Sequence, residues 1–159
     1  MNTGPAIGNG PRCKGNTLKN EKKMDYKLTN NKTWDSLERQ FAWVADMRHV
    51  PQDPRYHAEG DVATHTQLVL AALQADAAYQ ALPGQKQELL WAAALLHDVE
   101  KRSTTVLEDD GSITSRNHAR KGEYTARTLL FRDIPAPFFI REEIAALVRL
   151  HGLPLWLLQ

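Results

Sequence analysis

The sequence predicts an all-α domain, a compact bundle of about five to six helices, and three observations support this prediction. Apolar residues recur at helical spacing in most segments after residue 33. The segment LLWAAALL, at 89–96, is apolar on nearly every side, as expected for a helix at the centre of a bundle. No segment alternates apolar and polar residues strongly enough to predict a sheet. The chain of 159 residues has room for one such domain and its core.

Two helices are expected before the central one. Thr33 is a candidate N-cap for the first helix. The inward face of that helix carries Trp34, Leu37, Phe41 and Val44. The following loop, at 48–61, contains two prolines and a glycine, and we expect it to lie on the surface or to line a site. Asp61 is a candidate N-cap for the second helix, at 61–82. The inward face of this second helix carries Val62, His65, Val69 and Leu73.

The central helix is expected at 85–99, with His97 and Asp98 at its C-terminal end. Residues 102–116 contain the turn sequence DDG between short β-branched pieces. This pattern fits either a small hairpin or an irregular loop, and we expect the loop. Two further helices are predicted at 117–131 and 141–151. Their inward faces carry Ala126, Leu129 and Leu130 in the first and Ile144, Leu147, Val148 and His151 in the second.

Residues 1–33 differ from the rest of the chain in charge and composition. They hold seven Lys and Arg residues against two Asp and Glu residues, and almost no bulky apolar side chains. Such a segment buries too little surface to offset the entropy of ordering, so we expect a disordered basic tail at 1–33 and a folded domain at 34–159. Met24 is an alternative start of translation, and binding to an acidic partner is an alternative role for the tail.

The chain shows no targeting or membrane signal. No apolar stretch follows the early basic residues, and no apolar window is long enough to span a bilayer. We therefore expect a cytoplasmic protein without membrane association.

Six histidines and a single cysteine limit the metal chemistry that is available. Cys13 lies in the expected tail, so any metal must be held by histidines and carboxylates. A single histidine on an apolar face is more often a hydrogen-bonded core residue than a ligand. Here, four histidines lie on or beside the inward faces of four predicted helices, and a carboxylate adjoins one of them. These residues are His65, His97 with Asp98, His118 and His151. Such a set suits one or two divalent ions of Mn, Mg, Fe, Co, Ni or Zn.

Two segments carry a resemblance to a known family. HAEGDVATHT, at 57–66, is followed about thirty residues later by AALLHDVEK, at 93–101. This pattern resembles the HD-domain metal-dependent phosphohydrolases, named for their adjacent His and Asp. It is similar to the HD domains of tRNA nucleotidyltransferases and of proteins that join an HD domain to a nucleoside-triphosphatase domain. The resemblance covers residues 41–158 and implies the fold of an HD-domain helical bundle.

The resemblance also implies roles for individual residues. His65 corresponds to the first metal-ligating histidine, and His97 with Asp98 to the pair that names the family. His118 and His151 correspond to the further histidines of members with a two-metal site, where they complete that site or orient substrate and proton. The implied chemistry is hydrolysis of a phosphoester by a metal-activated water.

Residues outside the ligand set have open alternatives. The expected catalytic residues are Asp98, His118 and Lys101. Lys101, Arg120 and Lys121 are candidate phosphate contacts, although a solvated helix face explains all three equally well. His57 and Glu59 are candidate partners that orient a ligand, with loop capping as the alternative.

The chain departs from the family pattern at two places. Glu100 puts a carboxylate near the expected phosphate position, where it would weaken binding. The family pattern also ends with an Asp on a later helix, and no Asp follows Asp133. Because the chain ends with the apolar sequence LPLWLLQ, we expect either a domain that is incomplete at its C-terminus and belongs to a longer protein, or self-association through this segment.

Three functional hypotheses follow from the sequence. The first is a divalent-metal-dependent phosphohydrolase for phosphomonoesters or phosphodiesters, with a phosphorylated small molecule, nucleotide or RNA end as substrate. The second is a non-catalytic HD module of a truncated protein, which keeps the fold or the metal without turnover. The third is an acid-base enzyme that needs no metal and would stay active with chelators.

Overall fold

The computed structural model describes Met1 and residues 26–153 of the chain. Within this part, five helices have seven or more residues, three are single turns of four residues, and two strands form one antiparallel sheet. In chain order, the elements are α1 (Trp34–Gln40), α2 (Ala42–Ala45), α3 (Val62–Ala75), α4 (Ala77–Gln80), α5 (Gly84–Leu96), α6 (Lys101–Thr104), β1 (Thr105–Leu107), β2 (Ile113–Ser115), α7 (His118–Arg132) and α8 (Phe138–Leu150). The predicted all-α architecture is confirmed. No helix in the described ranges is long and apolar enough to cross a membrane.

The helix α5 lies at the centre of the core, as the sequence predicts. It packs against α3 and against α8, and α8 in turn packs against α7. Trp91, Leu95 and Leu96 of α5 are fully buried, and burial continues beyond the helix end through Asp98. The chain therefore carries the His-Asp pair into the interior and not to the surface.

The helix α3 begins where the sequence predicts but ends earlier. The Asp61 side chain accepts a hydrogen bond of 2.7 Å from the Thr64 backbone N–H, which confirms it as the N-cap. The predicted helix at 61–82 breaks at Asp76, because this side chain accepts a hydrogen bond from the Tyr79 N–H and caps the separate helix α4. Val62, Thr66 and Leu70 form the fully buried face. Val69 and Leu73 are only half-buried.

The N-terminal boundary of the domain differs from the prediction. Tyr26 and Leu28 are buried in the core, although we expected residues 1–33 to be disordered. Gln85 exchanges two hydrogen bonds with the Tyr26 backbone, accepting from its N–H at 2.7 Å and donating to its carbonyl at 3.1 Å. The domain therefore includes residues before 34. Residues 2–25 of the expected tail, which include Cys13 and Met24, lie outside the described residues, as do residues 154–159.

Two smaller elements also differ from the prediction. The expected first helix is interrupted at Phe41, whose backbone is extended, so that α1 and α2 are separate. In α8, Ile144 and Val148 are buried as predicted. The prediction that Leu147 lies on the inward face is wrong, because its side chain is 38% exposed.

The segment expected as a loop at 102–116 contains a β-hairpin. Strand β1 pairs with β2 in antiparallel register, with Thr105 opposite Ser115 and Leu107 opposite Ile113. Gly111 has a φ of 81° in the turn, where a residue without a Cβ is favoured. Strand β2 leads into Asn117, whose φ of 63° starts α7 at His118. The hairpin thereby fixes the position of His118, which is one of the predicted site residues.

Candidate metal centre

Four histidine rings converge on the carboxylate of Asp98, which is 2% exposed. On one side, its Oδ1 lies 3.2 Å from His118 Nε2 and 3.6 Å from His151 Nε2. On the other side, its Oδ2 lies 3.1 Å from His97 Nε2 and 3.8 Å from His65 Nε2. The structure thus brings together all five residues that the sequence offered as metal ligands.

Helix ends bring most of these side chains together. His65 lies in the second turn of α3, which Asp61 caps. His97 is the C-cap of α5 and Asp98 follows it in a turn, while His118 is the first residue of α7 and His151 the C-cap of α8. Adjacent helical side chains diverge by about 100°, so a helix end is where two neighbours can reach one point.

Each of the four rings is fixed by a hydrogen bond at Nδ1. In three of them, Nδ1 lies 2.6 to 2.8 Å from the backbone carbonyl three residues earlier, and in His65 it lies 2.6 Å from a carboxylate. The acceptors are Ala94 for His97, Ser115 for His118, Val148 for His151 and Glu59 for His65. In the neutral form of each ring, these acceptors place the proton on Nδ1 and leave the Nε2 lone pair facing Asp98.

The arrangement on the Oδ1 side is unsatisfied without a cation. Asp98 Oδ1 is buried and has no hydrogen-bond partner among the described residues, although His118 Nε2 lies 3.2 Å from it. His118 Nε2 and His151 Nε2 are 3.2 Å apart, so two ring lone pairs and a carboxylate oxygen face one another. Buried polar atoms need a partner, and a divalent ion would supply it to all three. The residues present therefore fit a metal ion.

The described residues contain two groups of three ligands that share Asp98. One consists of His65, His97 and Asp98, and the other of Asp98, His118 and His151, with the ligand atoms of each group within 4.8 Å of one another. If each group held an ion, Asp98 would serve as a ligand in both. A third group, His57, Glu59 and His65, uses the His65 Nδ1 atom that already faces Glu59. We therefore assign Glu59 to orienting His65.

The electrostatics favour the ligand forms of His65, His151 and Asp98, whereas His97 is the exception. Burial lowers the pKa of His65 and that of His151, which keeps both rings neutral. Burial also opposes ionisation of Asp98, yet the facing groups of His97, His118 and Lys101 hold its pKa well below the ordinary value. For His97, burial acts to lower the pKa, but the Asp98 carboxylate outweighs it and the pKa is raised.

The Glu59 carboxylate carries a strongly lowered pKa of its own. It is held at about 2 by a hydrogen bond from the residue's own backbone N–H, with further contributions from His65 and His57. The His57 Nδ1 atom lies 3.2 Å from the same Glu59 oxygen that contacts His65. Glu59 is therefore an ionised acceptor for both rings, which is how a carboxylate orients a metal-ligating histidine.

Lys101 is the one predicted phosphate contact that reaches this centre. Its ammonium lies 3.0 Å from Asp98 Oδ2 and 2.5 Å from Gln52 Oε1. Arg120 is exposed and lies outside the cavity lining. Lys121 turns to Ser103 at 2.7 Å and to Glu100 at 3.5 Å instead.

Glu100 does not lie where the sequence suggested. Its carboxylate accepts hydrogen bonds from Ser103 of α6 and, at 2.8 Å, from Thr125 of α7, and it is absent from the cavity lining among the described residues. The expected repulsion of phosphate by Glu100 is therefore not supported. The side chain ties α6 to α7 instead.

A cavity of about 840 Å³ opens over the centre. Its lining residues are Gln52, Asp53, Tyr56, His57, His65, His97, Asp98, Lys101, Ile113, Ser115, His118, His151 and Gly152. The loop at 50–60 and the hairpin form its outer wall, and Asp53 joins them by accepting a hydrogen bond of 3.2 Å from the Ile113 N–H. Sequence reasoning missed Gln52 and Asp53, because no local pattern indicates either contact.

The fold and the cluster define a class of protein, a helical domain built around a centre of histidines and one aspartate. The model of the HD domain family matches residues 62–157, and the chain belongs to this family. Its superfamily consists of phosphohydrolases that bind divalent metals. No curated protein and no solved structure matches the chain. The suggested closeness to the HD domains of tRNA nucleotidyltransferases stays a prediction.

Proposed function

We propose that the protein is a divalent-metal-dependent phosphohydrolase whose substrate is a nucleotide or an RNA end. The observation that carries this proposal is the buried Asp98 carboxylate, with two Nε2 atoms facing each of its oxygens. Such a donor set suits divalent ions, which lower the pKa of a bound water and offset charge on phosphoryl oxygens. Membership in the HD family favours phosphoester hydrolysis over other metal chemistry.

The chain's own residues divide the remaining tasks. Asp98 and the four histidines hold the ions, and Glu59 orients His65 through Nδ1. Lys101 places a buried ammonium beside the cluster and in the cavity wall, where it contacts a phosphoryl oxygen of the substrate. Loop and hairpin enclose the reacting group and limit the access of solvent.

The size and the mouth of the cavity support a nucleotide-like substrate. About 840 Å³ is room for a whole small molecule and not only for a phosphate group. Tyr56 is 79% exposed at the mouth, and Arg55 lies 5.8 Å from its ring while paired with Asp53. An exposed aromatic ring next to a guanidinium offers a stacking surface for a base.

The test combines metal analysis with turnover. Protein purified without added metal is analysed for its elements and then assayed with Mn on a nucleoside monophosphate and on glycerol phosphate. We expect bound metal and activity, both lost in the His97→Ala/Asp98→Ala double variant. Asp133→Ala is the matched control, since Asp133 pairs with Arg132 on the surface.

The outcomes separate the hypotheses. Metal without turnover of any phosphoester would favour a non-catalytic HD module, and turnover that survives chelation would favour an acid-base enzyme. For the substrate class, Tyr56→Ala should raise KM for the nucleotide about tenfold and leave glycerol phosphate unchanged, because stacking contributes about 1–3 kcal/mol per base. Equal effects on both substrates would contradict the base-stacking assignment.

A further inference from the structure

We propose that Gln52 is a positioning residue that holds the Lys101 ammonium toward the substrate phosphate without neutralising its charge. This inference rests on the proposed function, because it concerns how the same cavity recognises a phosphoryl group. It assigns a role to a residue of the loop at 50–60, which lies 49 positions from Lys101 in the sequence.

The contact between the two side chains is short and buried. Gln52 is 6% exposed and Lys101 is 8% exposed. The Lys101 ammonium donates to Gln52 Oε1 at 2.5 Å, and a second contact of 3.0 Å joins it to Asp98 Oδ2. An ammonium has three protons, so one remains for a group in the cavity that both residues line.

The Gln52 amide is fixed before it meets Lys101. Its backbone N–H donates to the Gly60 carbonyl at 3.0 Å, and its Nε2 lies 3.4 Å from the Asp61 carbonyl. Asp61 is also the N-cap of α3, so the Gln52 side chain, which holds Lys101, is itself attached to a rigid helix end. The amide oxygen therefore points at Lys101 and has no other donor nearby in the described hydrogen bonds.

The Gln52 amide carries no charge, and this matters for binding a phosphate. Asp98 Oδ2 also faces His65 and His97, so a cation held there competes with the ammonium for the same oxygen. Gln52 then remains as the acceptor that keeps Lys101 in the cavity wall. A glutamate at this position would hold the ammonium as firmly, but it would form an ion pair and place a negative charge beside the incoming phosphate.

The experiment measures binding of inorganic phosphate by isothermal titration calorimetry to the full chain with its bound metal. Gln52→Glu and Gln52→Leu should each weaken phosphate binding about tenfold, the loss expected for one charge-assisted hydrogen bond. Gln52→Glu should keep the melting temperature and the metal content of the wild type. Gln67→Glu is the matched control, because Gln67 is exposed on α3. In a Lys101→Met background, Gln52→Leu should have no further effect, because no ammonium is left to position.

Each result decides the inference. Wild-type affinity for phosphate in Gln52→Glu would overturn it, and so would a loss of phosphate binding that occurs only together with loss of metal or thermal stability. Absence of phosphate binding in the wild type would overturn it as well. If the wild type binds phosphate in a Gln52-dependent manner but hydrolyses no phosphoester, the inference stands and the proposed hydrolase function fails.

Discussion

If each of the two ligand groups that contain Asp98 holds an ion, removing single ligands should empty the two positions separately, because Asp98 is the only member that these groups share among the described residues. His118→Ala removes a ligand on the Oδ1 side, and His65→Ala removes one on the Oδ2 side. If four ligands supply about 10–16 kcal/mol to a structural zinc ion, each contributes about 3 kcal/mol, or roughly a 100-fold change in affinity. Each variant should therefore lose one ion at micromolar free metal, whereas Asp98→Ala should lose both.

Metal content after dialysis against a fixed concentration of free ion measures this prediction, with calorimetric titration to give the stoichiometry. His49→Asn is a suitable control, since His49 lies outside the cavity lining and its φ of 82° is one that Asn tolerates. We expect two ions in the wild type and the control, one in each single-histidine variant and none in Asp98→Ala. A wild type that never holds more than one ion, or a His118→Ala protein that loses every ion, would refute the bridging role of Asp98.

Three further predictions follow from the same contacts. Glu59→Gln should lower the affinity for metal on the His65 side by about 10- to 100-fold in a metal titration, because the neutral amide is a poorer acceptor for the His65 Nδ1–H. An unchanged affinity would contradict the role of Glu59 in orienting His65. His97 has a raised pKa in the metal-free protein, so its ion pair with Asp98 stabilises that form at low pH and is lost as the pH rises through this pKa. Metal binding requires the neutral ring, so the gain in melting temperature on adding metal should grow from about pH 6 to about pH 8. A gain that stays constant over this range would argue against competition between metal and proton. At Gly122 of α7, an added Cβ would lie 3.2 Å from Val148 Cγ1. In chemical denaturation, Gly122→Ala should leave the free energy of unfolding nearly unchanged, because a gain of about 1 kcal/mol in helix propensity offsets the crowding, whereas Gly122→Val should lower it by about 1–3 kcal/mol. Equal stabilities of the two variants would show that the α7–α8 contact yields easily.

The sequence was informative where the physics is local. The Asp61 N-cap, the buried central helix and its end at the His-Asp pair follow from capping chemistry and helical periodicity, and the structure confirms them. The sequence also identified the residues that meet around Asp98, because four histidines on or beside the inward faces of four predicted helices are rare by accident. Their roles as ligands stay predictions, since proximity alone does not establish binding.

The sequence was uninformative where contacts join distant segments. Nothing near Gln52 indicates that it meets Lys101, because such a pair depends on how the loop at 50–60 folds over the turn after α5. The polar neighbours of Tyr26 and Leu28 predict a disordered tail, yet both side chains pack in the core and the Gln85 side chain binds the Tyr26 backbone. The charge of Lys121 alone predicts a phosphate contact, but Glu100 and Ser103, which lie in a different helical turn, set the direction of its side chain.

The position of Asp98 explains why this cluster can act as one unit. A carboxylate within a helix would face one neighbouring helix, but Asp98 lies in the turn after α5, where α3, α7 and α8 all approach. His97 fits the same turn because its Nδ1 binds the Ala94 carbonyl, which α5 leaves unpaired at its end. Three of the four histidines thus use backbone carbonyls of their own segments, and only their Nε2 atoms depend on tertiary packing. Because four helices contribute ligands, metal binding should stabilise the packing of the whole bundle and not only the loop around the cavity.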